Sequence, residues 1–366
     1  MANKGNSIYI SNLVTTELQN SYKISQASNN FNSHVCELNY FSHHYGLPTT
    51  NIGNDFKSFF DAEAGVEFYG VRFFKHVGIG KILNIICENV ALYVKILRRD
   101  ELNVWFYNLW TNTLILFLLL RFFSTKKTYI LLADYNPHRS NKIIDNFILW
   151  CHRKANAVLS LSSRCRNTNN KFYSIPGIIP KRNINFIPGM LTGCHNFLFS
   201  GTISKDNGIE MAIEVFSKIP KAKLTITGIC SEEIQKKCAK YKNINCRGYI
   251  SDYADYLKIL NSSDYLLSWR DPSQPVNKYN FPSKILETLA GNRTAVISTI
   301  KYEELDGINY FYEEYDEQKL FKLITDIISG DFDSYTQQCL NNGKALVEKY
   351  SEEIWVKTIK EIENNN

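Results

Sequence analysis

The stretch KYNFPSKILETLAG, Lys278 to Gly291, follows the run SWRDPS and leads into TAVIST, which begins at Thr294. Pro282 suits the first turn of a helix and Ser283 is a good helix cap, so a helix is predicted to open here. Gly291 is typical of the end of such a helix. With the apolar runs on either side, the segment predicts a unit of strand, loop, helix and strand.

The predicted helix has two faces of different character. An apolar stripe runs through Ile285, Leu286 and Leu289. Lys284 and Glu287 are three residues apart, so they lie on neighbouring parts of the other face. A helix N-terminus beside a lysine attracts phosphate, and a carboxylate one turn later can accept hydrogen bonds from ribose hydroxyls. An amphipathic helix with a surface ion pair and no ligand has the same pattern. The rest of the chain must therefore distinguish a phosphate-binding helix from a purely structural one.

Length and composition are those of a globular protein with two domains. The 366 residues are too many for one compact core, and 44% hydrophobic with 21% charged residues is ordinary. The net charge of +6 is spread along the chain, which favours anionic ligands or an anionic membrane surface over a nucleic-acid groove. No basic-aromatic motif of the known nucleic-acid modules occurs, so no nucleic-acid partner is expected.

The cysteines and histidines do not form a metal-binding pattern. Cys230, Cys238 and Cys246 are eight residues apart, a wider spacing than zinc ligands usually have, and each lies in a different predicted element. The His43–His44 pair lies in a polar segment and is expected to be solvated. No metal is therefore expected. The N-terminus lacks the continuous apolar core of a signal peptide, so reduced thiols and a cytoplasmic location are expected.

The most apolar run is LILFLLLRFF, Leu114 to Phe123. It is too short to span a bilayer and contains Arg121. A buried helix of an α/β domain is the favoured interpretation. The alternative is a monotopic patch that rests peripherally on the cytoplasmic membrane, helped by the flanking Lys126 and Lys127.

The first half of the chain alternates between strand and helix patterns, which predicts a parallel sheet with helices on both faces. The predicted strands are Ile8–Leu13, Val66–Phe74, Asn103–Leu109, Thr128–Ala133 and Ala157–Ser162, and the predicted helices are Gly78–Arg98, the Leu114 run and Lys142–Ala155. Residues 20 to 60 give no assignment. Proline- and glycine-rich runs between Ile175 and Met190 indicate a hinge, so residues 1–192 form the first predicted domain.

The second half shows the same alternation more sharply, and residues 193–348 form the second predicted domain. Its predicted strands are Asn196–Gly201, Ala222–Gly228, Asn243–Ile250, Asp264–Arg270, Thr294–Thr299 and a short one within Tyr302–Glu314. Its predicted helices are Gly208–Ile219, Ser231–Tyr241, Asp252–Leu260, the Lys284 helix, Glu317–Ile328 and a long one from Tyr335 to Glu363. Ligands of such doubly wound units bind outside the carboxyl ends of the strands, and two such units make a cleft.

Residues suited to a nucleotide diphosphate follow successive strands of this second domain. The loop from Gly201 to Gly208 is a phosphate cradle, although it lacks P-loop spacing. Arg270 brings a fixed positive charge. Tyr249 and Ile250 offer an aromatic ring and backbone groups to a base. The predicted nucleotide-binding site comprises Gly201, Thr202, Lys205, Asn207, Gly228, Tyr249, Ile250, Arg270, Tyr279, Ser283, Lys284 and Glu287.

The region from Asn196 to Glu363 resembles the C-terminal half of the GT-B glycosyltransferases, most closely the retaining family-four group of bacterial polysaccharide biosynthesis. The resemblance rests on FSGTISKDNGIEMAIEVF, ITG, RGYI, SWRDPS, FPSKILETLAG with VIST, and EKYSEEIW. The N-terminal half matches only in outline, through NVWFYNL, TYILLAD and SIPGII.

The resemblance implies a GT-B α/β fold, with two Rossmann-like, doubly wound domains facing across a cleft. It implies a hexosyl-type transferase that moves a sugar with retention from a UDP- or GDP-sugar to a hydroxyl of a glycan or lipid-linked oligosaccharide. Surface polysaccharides of the O-antigen or capsule type are the implied products. Neither a metal nor another cofactor is implied, because cationic side chains and a helix dipole stabilise the charge. Residues 349–366 are implied to pack back on the N-terminal domain.

The chain departs from the family pattern at three positions. Thr202 and Asn207 stand where the family has Arg and Lys, and Lys205 is a candidate to compensate. The family also has two glutamates eight residues apart. Glu287 matches the second, whereas Tyr279 replaces the first, which normally touches the donor sugar; a subgroup with the FPSK form shares this loss.

Asp134 ends a predicted strand where the N-terminal domain of the family often presents a polar residue to the reacting sugar. It is the predicted catalytic, acceptor-side residue, and a helix cap is the alternative role. Two other functions stay open: a nucleotide-sugar epimerase of the same fold, and a catalytically inactive subunit that binds sugar or nucleotide. The Asp331–Asp333 pair resembles a metal-binding D-x-D but is expected to be a solvated turn.

Overall fold

The computed structural model describes residues 6–15, 18, 29–47, 56–70, 73–136, 141–190, 193, 195–201, 203–204, 207–250 and 252–366. The chain forms two compact units: unit 1 is Met1–Ile178 with Glu352–Asn366, and unit 2 is Ile179–Ser351. The boundary lies before residue 192 because the segment after Ile178 hydrogen-bonds into unit 2. The Ile179 amide donates to the Tyr350 carbonyl at 3.1 Å and the Gly189 amide to the Leu340 carbonyl at 3.0 Å.

Strands and helices alternate along much of the described chain, and four helices follow one another at its end. The strands are β1 Ser7–Ser11, β2 His43–Gly46, β3 Phe59–Asp61, β4 Val66–Phe68, β5 Asn103–Tyr107, β6 Lys127–Leu132, β7 Ala157–Ser160, β8 Phe172–Ser174, β9 Asn196–Ser200, β10 Lys223–Thr227, β11 Ile244–Gly248, β12 Tyr265–Ser268, β13 Ala295–Ser298 and β14 Phe311–Tyr312. The helices are α1 Asn29–Glu37, α2 Gly78–Leu97, α3 Leu114–Phe123, α4 Lys142–Lys154, α5 Ile209–Ser217, α6 Glu232–Cys238, α7 Tyr253–Asn261, α8 Pro275–Tyr279, α9 Ser283–Ala290, α10 Glu317–Ser329, α11 Asp333–Cys339, α12 Gly343–Tyr350 and α13 Glu352–Asn364.

Unit 1 is built on one sheet with the strand order β3-β4-β2-β1-β5-β6-β7-β8. Its strands are parallel except that β3 runs antiparallel to β4. Fully buried aromatic side chains fill the sheet faces, and Trp105 stacks on Tyr129 with ring centroids 4.8 Å apart. Strands covered on both faces read as continuous apolar runs, which is why β5 and β6 were predictable.

The C-terminal helix α13 belongs to unit 1 and is held there by polar contacts. The Glu363 carboxylate is buried and accepts hydrogen bonds from Ser7 Oγ at 2.6 Å, Tyr40 Oη at 2.7 Å and Trp105 Nε1 at 2.7 Å. Trp355 Nε1 donates to the Gly177 carbonyl at 2.6 Å. Three donors satisfy the buried carboxylate, so its burial is tolerated without a cation.

Replacing Glu363 with glutamine is expected to lower the free energy of unfolding by about 1 kcal/mol, because the amide nitrogen cannot accept one of the three hydrogen bonds. Urea denaturation measures the loss. Glu361→Gln is the matched control, since Glu361 is exposed on the same helix and lies 3.8 Å from Lys357. Equal stability of the two variants would contradict this role of Glu363.

Unit 2 contains a sheet with the order β11-β10-β9-β12-β13-β14, and every pairing in it is parallel. The predicted α/β class with two parallel sheets is therefore confirmed. Three helices of this unit begin with side-chain caps: Ser231 accepts from the Ile234 amide, Asp252 from that of Asp255 and Asp316 from that of Lys319.

Two predicted elements differ from the structure by more than a few end residues. The strand predicted to reach Phe74 ends at Phe68, because the Gly70 amide and carbonyl bond to the Ser58 hydroxyl instead of a neighbouring strand. The single helix predicted from Tyr335 to Glu363 is three helices. The chain breaks at the buried Asn342 and again at Ser351, whose backbone is extended.

The helix that contains Lys284 differs from the prediction at both ends. Pro282 is the N-cap residue and Ser283 is the exposed first helical residue, so Ser283 does not cap the helix. Gly291 keeps a right-handed φ of −70°, whereas Asn292 takes the left-handed position with a φ of 50°. The Asn292 side chain accepts from the Asn342 amide at 3.0 Å, and tertiary contacts therefore fix the end of this helix.

The apolar run Leu114–Phe123 is helix α3, and its inner face is fully buried at Leu116, Phe117 and Leu120. Its last residues, Phe122 and Phe123, are exposed. Among the helices of the described residues, none is both long and apolar enough to cross a membrane.

Candidate functional site

A pocket lies where strands β9 and β12 of unit 2 reach their carboxyl ends, beside the N-terminus of helix α9. It is lined by Phe199, Ser200, Asn207, Leu266, Leu267, Ser268, Trp269, Arg270, Pro282, Lys284 and Ile285. Parallel strands bring their carboxyl ends to one edge of the sheet, which is where ligands of such folds bind. The pocket therefore combines residues that are more than 80 positions apart in sequence, such as Ser200 and Lys284.

A chain of polar contacts holds the ammonium group of Lys284 at this edge. Thr227 and Ser200 are paired across strands β10 and β9, and Thr227 Oγ1 donates to Ser200 Oγ at 3.0 Å. Lys284 Nζ donates to the same Ser200 oxygen at 2.8 Å. The ammonium also lies 4.8 Å from the centre of the Tyr256 ring, a cation–π contact. These contacts position the charge in the pocket.

Arg270 is positioned by the neighbouring strand and by helix α8. Its amide donates to Thr299 Oγ1 at 3.0 Å, and the Thr299 hydroxyl donates to the Arg270 carbonyl at 2.5 Å. Its guanidinium Nη1 is 3.4 Å from Oδ1 of the buried Asn277, which in turn donates to the Asp271 carbonyl at 3.0 Å. The Thr299 hydroxyl therefore fixes both the amide and the carbonyl of Arg270, while most guanidinium donors stay available to a ligand.

The electrostatics of the pocket favour an anion. Burial lowers the pKa of Arg270. Burial also lowers the pKa of Lys284; the carboxylate of Glu287 opposes that shift and the charge of Arg270 adds to it. In the described part of the chain, neither cation forms an ion pair with a carboxylate, and no Asp, Glu or His lines the pocket. An anionic ligand would offset the cost of burying two cations side by side.

Two glycines allow the backbones at this edge to approach closely. Gly228 has a φ of 145°, and a Cβ there would lie 2.1 Å from the Gly201 carbonyl oxygen. Gly208 caps α5 with a φ of 72°, and a Cβ there would lie 2.2 Å from the Trp269 carbonyl oxygen. No other residue type fits either position without moving the backbone.

The structure brings together part of the predicted nucleotide-binding site. Asn207, Arg270 and Lys284 line the pocket, and Glu287 acts electrostatically on Lys284 from the same helix. The others lie around this edge or away from it. Gly201 and Gly228 follow strands β9 and β10, Tyr249 and Ile250 follow β11, and Tyr279 and Ser283 lie outside the pocket lining. Thr202 and Lys205 lie outside the described residues.

Sequence reasoning missed several residues of the site: Ser200, Tyr256, Ser268, Trp269, Asn277 and Thr299. Ser200 and Ser268 end buried strands, which is a signal that could have identified them. Tyr256 had no signal, because its contact with Lys284 depends on how helix α7 packs against the sheet.

The corresponding edge of the sheet in unit 1 contains Asp134, which is exposed and lies two residues after the end of β6. Asn108 follows the neighbouring strand, and its Oδ1 accepts from the Ala133 amide at 2.8 Å and the Asp134 amide at 3.3 Å. The Nδ2 of Asn108 and the Oδ1 of Asn12, which follows β1, are buried without a partner in the described structure. The edge is thus rich in polar groups that can bind hydroxyls.

The three spaced cysteines meet in unit 2. The Sγ atoms of Cys230 and Cys246 lie 3.0 Å apart. Burial raises the pKa of Cys230 to about 12 and, with the neighbouring Cys246, that of Cys238 to about 11, so both thiols stay protonated at neutral pH. Across the described residues there is no cluster of three or more His, Cys, Asp or Glu side chains that could hold a metal ion.

No protein-family model matches the chain, and no curated protein sequence matches it. Solved structures do match. HepE of Anabaena, solved with UDP and glucose, is similar at 11% identity over 98% of this chain and 100% of that chain, with a TM-score of 0.69. Sucrose-phosphate synthase of Thermosynechococcus elongatus is similar at 12% identity over 98% of both chains, with a TM-score of 0.71.

A glycosyltransferase of Rickettsia africae is similar at 14% identity over the whole of both chains, with a TM-score of 0.66. At these identities the likeness establishes the fold. Each match spans both units of this chain, and each unit holds a parallel sheet of the type described above. The chain therefore has the GT-B fold of these glycosyltransferases.

Proposed function

We propose that the protein is a glycosyltransferase that takes its sugar from a nucleotide diphosphate sugar. The observation that carries the proposal is the pair Arg270 and Lys284. Both are half-buried in the pocket at the strand ends of unit 2, and neither is ion-paired with a carboxylate in the described residues. A diphosphate supplies the missing negative charge, and it develops further charge when the sugar leaves.

Four residues have a direct contact with the nucleotide in this proposal. Lys284 and Arg270 contact the diphosphate, and the N-terminus of helix α9 adds its dipole. Glu287, one turn further along the helix, accepts hydrogen bonds from the ribose. Tyr249, whose side chain is 60% exposed after β11, stacks on the base. UDP and GDP both fit these roles, and the structure of HepE in complex with UDP supports UDP.

The finer features of the reaction are proposed from the resemblance of Arg270–Thr299 to the retaining group. The sugar is a hexose and is transferred with retention to a hydroxyl of a glycan or lipid-linked oligosaccharide, in synthesis of a surface polysaccharide. Asp134 acts on the acceptor side from unit 1. A nucleotide-sugar epimerase would need acid and base groups, which the described lining of the pocket does not offer.

A thermal-shift screen tests the proposal most directly. UDP, GDP and their sugars are each added to the full chain, and one nucleotide diphosphate is expected to raise the melting temperature through binding to the folded state. Turnover of the corresponding nucleotide sugars is then measured with a panel of glycan acceptors. Binding without turnover on any acceptor would support the inactive binding subunit that Thr202, Asn207 and Tyr279 leave open. Absence of binding to every nucleotide would reject the site.

Replacing Glu287 with alanine is expected to weaken nucleotide diphosphate binding by about 1 kcal/mol, because a carboxylate that accepts ribose hydroxyls is lost. Isothermal titration with the nucleotide selected by the screen measures the change. Glu313→Ala is the control, since Glu313 lies after β14 and outside the pocket lining. The same titration is repeated with the 2′,3′-dideoxynucleotide, which lacks the ribose hydroxyls. If Glu287→Ala weakens the binding of this analogue as much as it weakens the binding of the natural nucleotide, the proposed contact of Glu287 with the ribose is rejected.

A further inference from the structure

Helix α2 of unit 1 exposes an apolar face along its whole length. Seven aliphatic side chains on it are between 36% and 76% exposed: Ile79, Ile82, Leu83, Ile86, Val90, Val94 and Leu97. At about 100° of rotation per residue, all seven fall within an arc of roughly 120°. The solvent-facing side of this helix is therefore a continuous aliphatic stripe roughly 27 Å long.

The charged residues of α2 face the opposite way. Glu88 is buried, and Lys95 forms an ion pair with Glu67 and lies 5.6 Å from the centre of the Tyr45 ring. A surface helix in water normally turns its apolar stripe inward and its charges outward. This reversal means that the outer face of α2 is suited to an apolar environment.

The apolar surface continues onto helices α3 and α4. Right-handed crossovers place α2, α3 and α4 on the same face of the sheet, since each connection moves towards β7. Tyr93 Oη donates to the Phe123 carbonyl at 2.6 Å, which links α2 to α3. Phe122 stacks on Trp150 at 5.8 Å and Trp150 on Phe147 at 5.6 Å, which links α3 to α4.

The side chains of Phe122, Phe147 and Trp150 are 40% to 48% exposed, and that of Phe123 is 73% exposed. We call the outer surface of α2, α3 and α4, defined by these aliphatic and aromatic side chains, the apolar face.

Basic side chains border the apolar face on α4, at the end of α3 and after α2. Arg121 Nε donates to the Lys154 carbonyl, and Lys154 Nζ lies 5.8 Å from the centre of the Trp150 ring. Arg153 and Lys142 are exposed on α4, and Arg98 is exposed after α2. Within Gly78–Leu97, Leu114–Phe123 and Lys142–Lys154, which the structure describes in full, Asp145 is the one carboxylate that is not buried.

We propose that the apolar face lies on the surface of a membrane that contains anionic lipid. Aliphatic and aromatic side chains enter the boundary between headgroups and acyl chains, and arginine and lysine side chains contact the lipid phosphates. A second copy of this chain is the other candidate occupant. A two-fold dimer on this face would set the basic rim against itself, which opposes that arrangement. The proposal does not rest on the sugar-transfer function.

Flotation of the full chain with lipid vesicles tests the proposal. The protein is expected to float with vesicles of equimolar phosphatidylcholine and phosphatidylglycerol, and to bind phosphatidylcholine vesicles at least about tenfold more weakly. Raising the salt to about 0.5 M is expected to weaken binding to the anionic vesicles, because the Debye length shrinks. Equal binding to both kinds of vesicle would overturn the assignment to anionic lipid.

The double variant Ile86→Glu with Val90→Glu is expected to bind the anionic vesicles at least about tenfold more weakly than the parent chain. Both side chains are exposed, so an unchanged melting temperature is expected and establishes that the variant folds. Phe321→Glu on α10 of unit 2 is the matched control; Phe321 is 39% exposed, against 36% for Ile86 and 44% for Val90.

Equal flotation of the double variant and the control would overturn the proposal. Light scattering tests whether a second copy of the chain covers the apolar face. The proposal would also be overturned if the parent chain is a dimer, the double variant is a monomer and neither binds vesicles. Nucleotide binding by the double variant is expected to be unchanged. A failure of sugar transfer and a failure of membrane binding are therefore separable results.

Discussion

Replacing Lys284 with methionine is expected to weaken the binding of UDP or GDP by about 2 kcal/mol, roughly thirtyfold in the dissociation constant. Methionine keeps much of the side-chain volume but removes the charge that Ser200 and Tyr256 hold in the pocket. Hydrogen bonds between an ammonium and a phosphate oxygen are among the strong ones because one charge meets another. The melting temperature of the unliganded protein is expected to change little, since burial of an ammonium already opposes its charged form.

Isothermal titration with the nucleotide diphosphate measures the loss. Lys278→Met is the matched control: Lys278 lies on the neighbouring helix α8, is exposed and is not part of the pocket lining. If the two variants lose the same affinity, Lys284 does not contact the phosphates and the proposed site is wrong. A loss that depends on general charge alone would affect both variants and disappear in high salt.

Replacing Gly208 with alanine is expected to destabilise the protein by about 3 kcal/mol, from left-handed backbone strain together with a steric clash. The new Cβ would lie 2.2 Å from the Trp269 carbonyl oxygen and 3.0 Å from the Tyr315 ring. Relief requires movement of the chain just before Arg270, so nucleotide binding is expected to fall as well. Urea denaturation and titration with the nucleotide measure the two effects.

Gly193→Ala separates the clash from the backbone strain. Gly193 also has a positive φ, of 70°, but a Cβ there would meet no atom of the described residues within 4 Å. Its substitution is therefore expected to cost only about 1 kcal/mol. Equal destabilisation by the two substitutions would show that the close approach of Gly208 to Trp269 is not important for stability.

Local patterns predicted most of the elements because both kinds of element have a short repeat. Strands such as β5 and β10 are continuous or alternating apolar runs, and the helix Gly78–Leu97 was predicted to within one residue of its end. The candidate site was predicted in part for a topological reason. Parallel strands end at one edge, so Arg270 after β12 and Lys284 at the start of α9 had to lie near each other.

Contacts between distant residues were not predictable from these patterns. The contact of Lys284 with Ser200 joins residues 84 positions apart. The end of helix α9 is set by Asn292 rather than by Gly291, because the Asn292 side chain bonds to the Asn342 amide. The break of the C-terminal helical region at Asn342 has the same origin, since this residue is buried among its partners. A local propensity yields to such contacts when they satisfy buried polar groups.

The sequence by itself determined the alternation of strands and helices, the parallel sheets and the strand-end positions of the cations, because all three follow from short-range periodicity. For helix α2, the tertiary structure alone decided which side faces the protein. Helical periodicity shows that α2 has an apolar stripe but not the direction in which the stripe points. In the structure Lys95 pairs with Glu67 on the side away from this stripe, and Ile86 and Val90 are exposed on the apolar face.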